Sequence, residues 1–166
     1  GDGTFVMAPT ELVTAAQEGI NMTVVVSENH GYQVIRRLQM WRVGHQFGNE
    51  FRYRQDGPSV AEAGSLKGTA PRLEGDYLDI DLVKMSEGMG AKAIYATTPS
   101  EIRSALAEAR TINGPVVIVV PTIQHANLPA SNVWWDVAPA EVSTQPWVAA
   151  IRTDYEAGLS TQRWHA

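Results

Sequence analysis

Two short runs, Met22–Val26 (MTVVV) and Pro115–Val120 (PVVIVV), carry no charge and are mostly β-branched. A strand with one wet face alternates apolar and polar residues. These runs do not, so each is expected to be buried on both faces, as in a parallel sheet covered by helices. The segments between them fit that scheme. PTELVTAAQE, from Pro9 to about Glu18, has helical character, with Thr10 or Pro9 at its start and Gly19 closing it. After a break at Glu28-Asn29-His30-Gly31, residues Gly31–Trp41 resume as a helix. DLVKMSEGMG (Asp81–Gly90) reads as a helix ending at glycine, and Ala91–Tyr95 as a strand. Pro99–Thr111 is a helix led in by Thr98 or Pro99, with Glu101 in its first turn and Ile102, Ala105, Leu106 and Ala109 on one face. Asn113-Gly114 then turns the chain into the second apolar run.

The alternation predicts an α/β fold, a doubly wound parallel sheet with helices on both faces. Residues 42–78, rich in Gly, Arg and polar residues, show no period and read as a long loop or lid. From Gln124 onward the chain reads as an extension, with Trp134-Trp135 and a helix over Gln145–Tyr155. The expected division is therefore 1–123 for the sheet domain and 124–166 for the extension. The chain opens on Gly1-Asp2-Gly3 with no strand before it, where a loop of this kind ordinarily follows one. A fragment lacking the first strand or strands is the expectation.

At 166 residues, 44% hydrophobic and 19% charged, the chain suffices for one domain with a real core. A net charge of −5, with basic residues scattered apart from Arg36/Arg37 and Arg52/Arg54, argues against a nucleic-acid or anionic-membrane surface. The absence of cysteine excludes disulfides and thiolate metal sites and permits a reducing cytoplasm. No apolar run is long enough to span a bilayer.

In an open parallel sheet, ligands sit beyond the carboxyl ends of the strands. Two segments fall there: Gly1-Asp2-Gly3-Thr4, a loop before the first helix, and Glu28-Asn29-His30-Gly31, after the first apolar strand. If their strands are neighbours, Asp2 and Asn29 meet. An Asp carboxylate, an Asn amide oxygen and a backbone carbonyl are hard oxygen ligands suited to Mg²⁺ or Ca²⁺, and Mg²⁺ commonly completes its octahedron with phosphate oxygens and water. Gly1 and Gly3 let the backbone approach a diphosphate, and Thr4 adds a hydroxyl near a helix N-terminus. Gly-Asp-Gly alone is ordinary turn chemistry; its conjunction with the second loop is more specific.

That conjunction resembles the motif of thiamine-diphosphate-dependent enzymes, which begins Gly-Asp-Gly and ends near Asn-Asn. GDGTFVMAPTELVTAAQEG is similar to that family's first loop and helix, and DLVKMSEGMGAKAIYATTPSEIRSALAEARTINGPVVIVV to its later helices and strands, in the branch resembling acetolactate synthase. VWWDVAPAEVS (Val133–Ser143) resembles the carboxy-terminal segment of the branch that hydrolyses a cyclic 1,2-dione in myo-inositol catabolism. The resemblance implies that Asp2, Asn29 and the Gly31 carbonyl hold Mg²⁺, and that Gly1, Gly3, Thr4, Asn29 and Gly31 lie against the diphosphate of thiamine diphosphate. Glu28 departs from the pattern, standing where the first Asn of the pair is usual.

The family places its activating glutamate on a separate amino-terminal domain and its active site between two subunits. The resemblance thus implies that this chain holds no catalytic residue, is inactive alone, and works with amino-terminal domains of the same protein in a homo-oligomer, a dimer or tetramer. The implied reaction on a small-molecule substrate opens a six-membered cyclic dione to 5-deoxy-glucuronate. Two alternatives stay open: a carboligase or decarboxylase of the acetolactate-synthase type, and a non-catalytic phosphate- or nucleotide-binding domain. His30 beside the metal loop reads first as a loop residue whose backbone matters, and secondly as a substrate or diphosphate contact. His45, His125 and His165 lack metal-ligand spacing. The arginine groups read as solvated or salt-bridged, Trp134-Trp135 as an anchor for the tail, and Glu11 as a partner of a helix dipole.

Overall fold

A computed structural model of the chain describes residues 1–43, 48–53, 75–124 and 138–163. The elements run α1 (Asp2–Met7), α2 (Glu11–Gln17), β1 (Met22–Glu28), α3 (Gln33–Val43), α4 (Leu82–Gly88), β2 (Lys92–Tyr95), α5 (Pro99–Ala109), β3 (Pro115–Pro121) and α6 (Pro146–Leu159). The described residues fall into two compact units, one of residues 1–33, 48–53 and 75–124, the other of residues 34–43 and 138–163.

The first unit holds a parallel sheet in the order β1-β3-β2. The most apolar strand, β3, is central, and every residue from Pro115 to Val119 is buried. Its side chains alternate between two layers. Val117 and Val119 pack with Leu12 of α2, Leu82 of α4, Val26 and Ala93. Val116 and Ile118 pack on the other face with Ala105 and Ala109 of α5 and with Ala96. Helices therefore cover both faces, as the sequence predicts, and β2, α5 and β3 form one βαβ crossover.

β1 departs from expectation. Val26 is buried, but Val25 is 52% exposed and Met22 39%. Val25 is in register with Ile118, so it lies on the face that α5 covers only over β3 and β2. An edge strand with one uncovered face need not alternate, because its apolar run reports the composition and not the neighbours.

Local signals set the helix ends. Thr98 Oγ1 accepts the Glu101 N–H and Glu101 accepts the Thr98 N–H, a reciprocal cap with Pro99 in the first turn of α5. Asp81 Oδ1 caps α4 by accepting the Lys84 N–H at 2.9 Å. In the second unit, Arg152 of α6 bonds Glu156 at 2.7 Å and lies over the Tyr155 ring, and its Nη1 donates to the Pro139 carbonyl. Among the described residues, no helix is long and apolar enough to cross a membrane.

Candidate metal and cofactor site

The first motif is not a loop. Asp2–Met7 is a short helix with Gly1 as its N-cap, so Asp2 occupies the first helical position. Asp2 is 2% exposed, and its carboxylate is gripped by backbone. Oδ1 accepts the N–H of Gly3 at 2.8 Å and of Gly31 at 3.1 Å; Oδ2 accepts the N–H of His30 at 2.6 Å and of Asn29 at 3.2 Å. Three successive N–H groups of the loop after β1 thus converge on one side chain of α1, a concave anion nest.

The loop reaches this shape through two residues of positive φ. His30 sits at φ 60°, the one non-glycine in that region among the described residues, and Gly31 follows at 132°. A Cβ on Gly31 would strike the Asn49 carbonyl oxygen and lie 2.9 Å from Glu50 Cα. A Cβ on Gly3 would lie 2.9 Å from the Gly31 carbonyl carbon and oxygen. The two glycines let α1, the loop and the segment after Gly48 touch at backbone distance.

The Asn29 amide completes the cluster. The atom it turns inward lies 2.9 Å from Asp2 Oδ1 and 3.0 Å from the Gly31 carbonyl oxygen. As nitrogen, that atom donates to both. As oxygen, it makes a cluster of three oxygens that only a cation would stabilise. A carboxylate, an amide oxygen and a backbone carbonyl are hard donors, and this set fits a cation such as Mg²⁺ or Ca²⁺. With one carboxylate in the set, the remaining positions suit phosphate oxygens and water.

The other expected residues fall nearby. Gly1 adjoins the Ser27 carbonyl and the Asn29 side chain, and Thr4 is exposed on the first turn of α1. Glu28 turns elsewhere: its carboxylate accepts the Tyr95 hydroxyl at 3.2 Å, across the carboxyl end of β3. Together with Asp79, Asp81 and Val119 these two residues line a cavity of about 210 Å³. Partial desolvation, and then the negative charge of Glu28, push the Tyr95 phenol above its ordinary pKa. A hydrogen bond and ion pair with Lys84 hold Asp81 below the usual carboxylate range. Glu11 stands exposed in the first turn of α2, the dipole-partner position.

Sequence reasoning missed Glu50, Gln33 and Tyr77. Glu50 is 3% exposed; Oε1 accepts from Gln33 Nε2 at 3.2 Å and Tyr77 Oη at 2.9 Å, and Oε2 from Arg52 Nε at 2.9 Å. Arg52, read as solvated or salt-bridged, is salt-bridged, and its guanidinium lies 3.6 Å over the Tyr77 ring. The Tyr77 ring stacks on His30 with centroids 4.3 Å apart. Glu50 and Tyr77 lie in an aperiodic stretch, and Gln33 at the start of α3 pairs with a residue distant in sequence, so pattern gives no pairing. Arg54, His45, His125, His165, Trp134 and Trp135 lie outside the described residues.

Residues 1–120 match the family model of the thiamine pyrophosphate enzyme, C-terminal TPP binding domain. The chain belongs to this family. As a thiamine-pyrophosphate-binding domain it has relatives over nearly its whole length. It is 31% identical over 163 residues to a 3D-(3,5/4)-trihydroxycyclohexane-1,2-dione hydrolase of Geobacillus thermodenitrificans, covering 98% of this chain and 24% of the relative. It is 31% identical over 160 residues to hydrolase 1 of that name from Bacillus cereus, covering 96% of this chain and 22% of the relative. The domain thus spans about a quarter of the length of these relatives. A thiamine diphosphate-dependent 4-hydroxybenzoylformate decarboxylase of Rhodococcus jostii shares the fold, with TM-score 0.54 and 22% identity, over 74% of this chain and 19% of that one.

Proposed function

We propose that this domain holds Mg²⁺ and the diphosphate of thiamine diphosphate in an enzyme that hydrolyses a carbon–carbon bond of a cyclic 1,2-dione. The observation that carries the metal half is the Asn29 amide, 2.9 Å from Asp2 Oδ1 and 3.0 Å from the Gly31 carbonyl. In this reading those three groups face the cation. Gly1, Gly3 and Thr4 on α1, with Asn29 and Gly31, border the diphosphate.

When bound, thiamine diphosphate supplies the nucleophilic carbon of the reaction. The chain's own residues hold and orient. The N–H groups of Gly3, Asn29, His30 and Gly31 fix the Asp2 carboxylate, so that Oδ1 keeps its direction toward the metal position. Preorganisation of this kind removes the cost of ordering the ligands when the cofactor arrives. Water adds across the broken bond, leaving one former carbonyl carbon as a carboxylate and the other, after taking a proton, as an aldehyde.

The substrate half is supported by the hydrolase activity for which the relatives are named, over 96% or more of the chain. The activating acid and the substrate pocket belong, on this reading, to amino-terminal domains of the same protein and to a partner subunit in a cytoplasmic homo-oligomer. The test is product analysis of the full-length protein with Mg²⁺ and thiamine diphosphate, offered a trihydroxylated cyclohexane-1,2-dione and, separately, pyruvate. Ring opening to a single acid is expected. Carbon dioxide or acetolactate from pyruvate, with the dione untouched, would assign a carboligase or decarboxylase instead.

A further inference from the structure

The buried carboxylate of Glu50 accepts from Gln33 and Tyr77, and these two side chains in turn contact Asn29 and His30 of the turn that carries the groups assigned to metal and cofactor. We propose that Glu50, acting through Gln33 and Tyr77, is the positioning residue that holds the Asn29–Gly31 turn in its metal-binding shape. This rests on the reading of Asp2, Asn29 and Gly31 as the Mg²⁺ site.

One route runs through the backbone. Gln33 Nε2 donates to Glu50 Oε1 at 3.2 Å and to the Asn29 carbonyl at 2.8 Å. That carbonyl and the His30 N–H belong to one planar peptide, and the N–H donates to Asp2 Oδ2 at 2.6 Å. Gln33 and Asp2 therefore hold opposite edges of the same plane. Rotating it would break both bonds and swing the Asn29 and Gly31 oxygens out of register.

The other route runs through side chains. The hydroxyl of Tyr77 donates to Glu50 Oε1 at 2.9 Å, while its ring stacks on His30. Arg52 closes the far side, donating to Glu50 Oε2 and to the Gly75 carbonyl. The backbones are also joined: the Tyr32 N–H donates to Asn49 at 2.7 Å and the Phe51 N–H to His30 at 2.9 Å, about the bridge Gly31↔Glu50. A non-glycine at φ 60° persists only where its surroundings over-determine it. Glu50 is the point on which those restraints meet.

The experiment uses the full-length protein and measures, by titration calorimetry, the Mg²⁺ concentration that half-saturates thiamine diphosphate binding. Outer partners of metal ligands are commonly worth about 10- to 100-fold in affinity. Glu50→Ala should raise that concentration at least about tenfold, and Gln33→Met similarly, with the double variant no worse than the larger single effect because both act on one peptide. Glu50→Gln, which keeps an acceptor for Gln33 and Tyr77, should restore most of the affinity. At saturating Mg²⁺ and cofactor, kcat should stay within about threefold for every variant that folds, since Glu50 touches no reacting atom. Should Glu50→Ala fail to fold, Gln33→Met carries the same test. An unchanged Mg²⁺ requirement in Gln33→Met and Glu50→Ala, with Asp2→Ala abolishing binding, would overturn the proposal and leave the metal site standing. Undiminished binding in Asp2→Ala would overturn both.

Discussion

The backbone N–H of His30 reaches the carboxylate of Asp2 at 2.6 Å, joining the loop after β1 to the first turn of α1 across 28 residues of sequence. This bond makes one site of two sheet-end segments. It also explains why a histidine adopts φ 60°: with that backbone, three successive N–H groups face one carboxylate.

Position 30 should accordingly tolerate glycine better than any branched residue. A β-branched side chain in the left-handed region costs more than the roughly 1–3 kcal/mol of an ordinary strained residue. Thermal unfolding of the full-length protein is expected to place His30→Gly near wild type and His30→Val well below it. Equal melting temperatures for the two would show that the turn relaxes freely.

Gly31 is expected to be stricter. A methyl group there meets the Asn49 carbonyl oxygen while the backbone is held at φ 132°. Gly31→Ala should destabilise the protein by at least about 2 kcal/mol, the range of strained backbone and overpacking combined. Denaturant unfolding measures it, and a change under about 0.5 kcal/mol would contradict the close approach.

The Glu101 carboxylate is held below its usual pKa, first by the Thr97 N–H and then by the Thr97 hydroxyl and Thr98 N–H. A depressed folded pKa means that its contribution is complete above the unfolded value and is lost as pH falls through the folded one. Glu101→Gln should therefore destabilise the protein at neutral pH and flatten the acid limb of its stability profile, as melting temperatures across pH 2–7 would show. Thr98→Ala, which removes the reciprocal cap, should cost about 1 kcal/mol at neutral pH. A parallel pH profile for wild type and Glu101→Gln would refute the assignment.

Tyr95 should ionise above the ordinary tyrosine range, chiefly through partial desolvation and secondly through the charge of Glu28. Glu28→Gln removes the second cause only, so the shift should shrink without vanishing. Alkaline absorbance titration, with Tyr95→Phe identifying the signal, reads this. A Tyr95 titration unmoved by Glu28→Gln would break the link between the two strand ends.

Much of this was legible beforehand. The apolar run of β3, the lead-in of α5 at Thr98-Pro99 and the sheet-end positions of Asp2 and Asn29 follow from local pattern and from the geometry of parallel sheets. What was not legible depends on partners distant in sequence. Val25 reads as buried because β-branched runs do, but its exposure depends on whether a helix lies over that edge. Asp2 reads as part of a loop because Gly-Asp-Gly is turn chemistry, whereas tertiary hydrogen bonds stabilise a helical turn there. Glu50 looks like any surface acid until Gln33, Arg52 and Tyr77 close around it, and no periodicity announces that pairing.

On the proposed reading, Asp2 and Asn29 would present oxygens to a cation held at the cofactor's diphosphate. Titration calorimetry of thiamine diphosphate into the full-length protein, over a series of Mg²⁺ concentrations, tests it most directly. Asp2→Ala and Asn29→Ala should each weaken Mg²⁺-dependent binding by at least about 100-fold, beyond the effect of losing an outer partner, while His30→Ala weakens it far less. Small, equal effects at all three positions would contradict the claim.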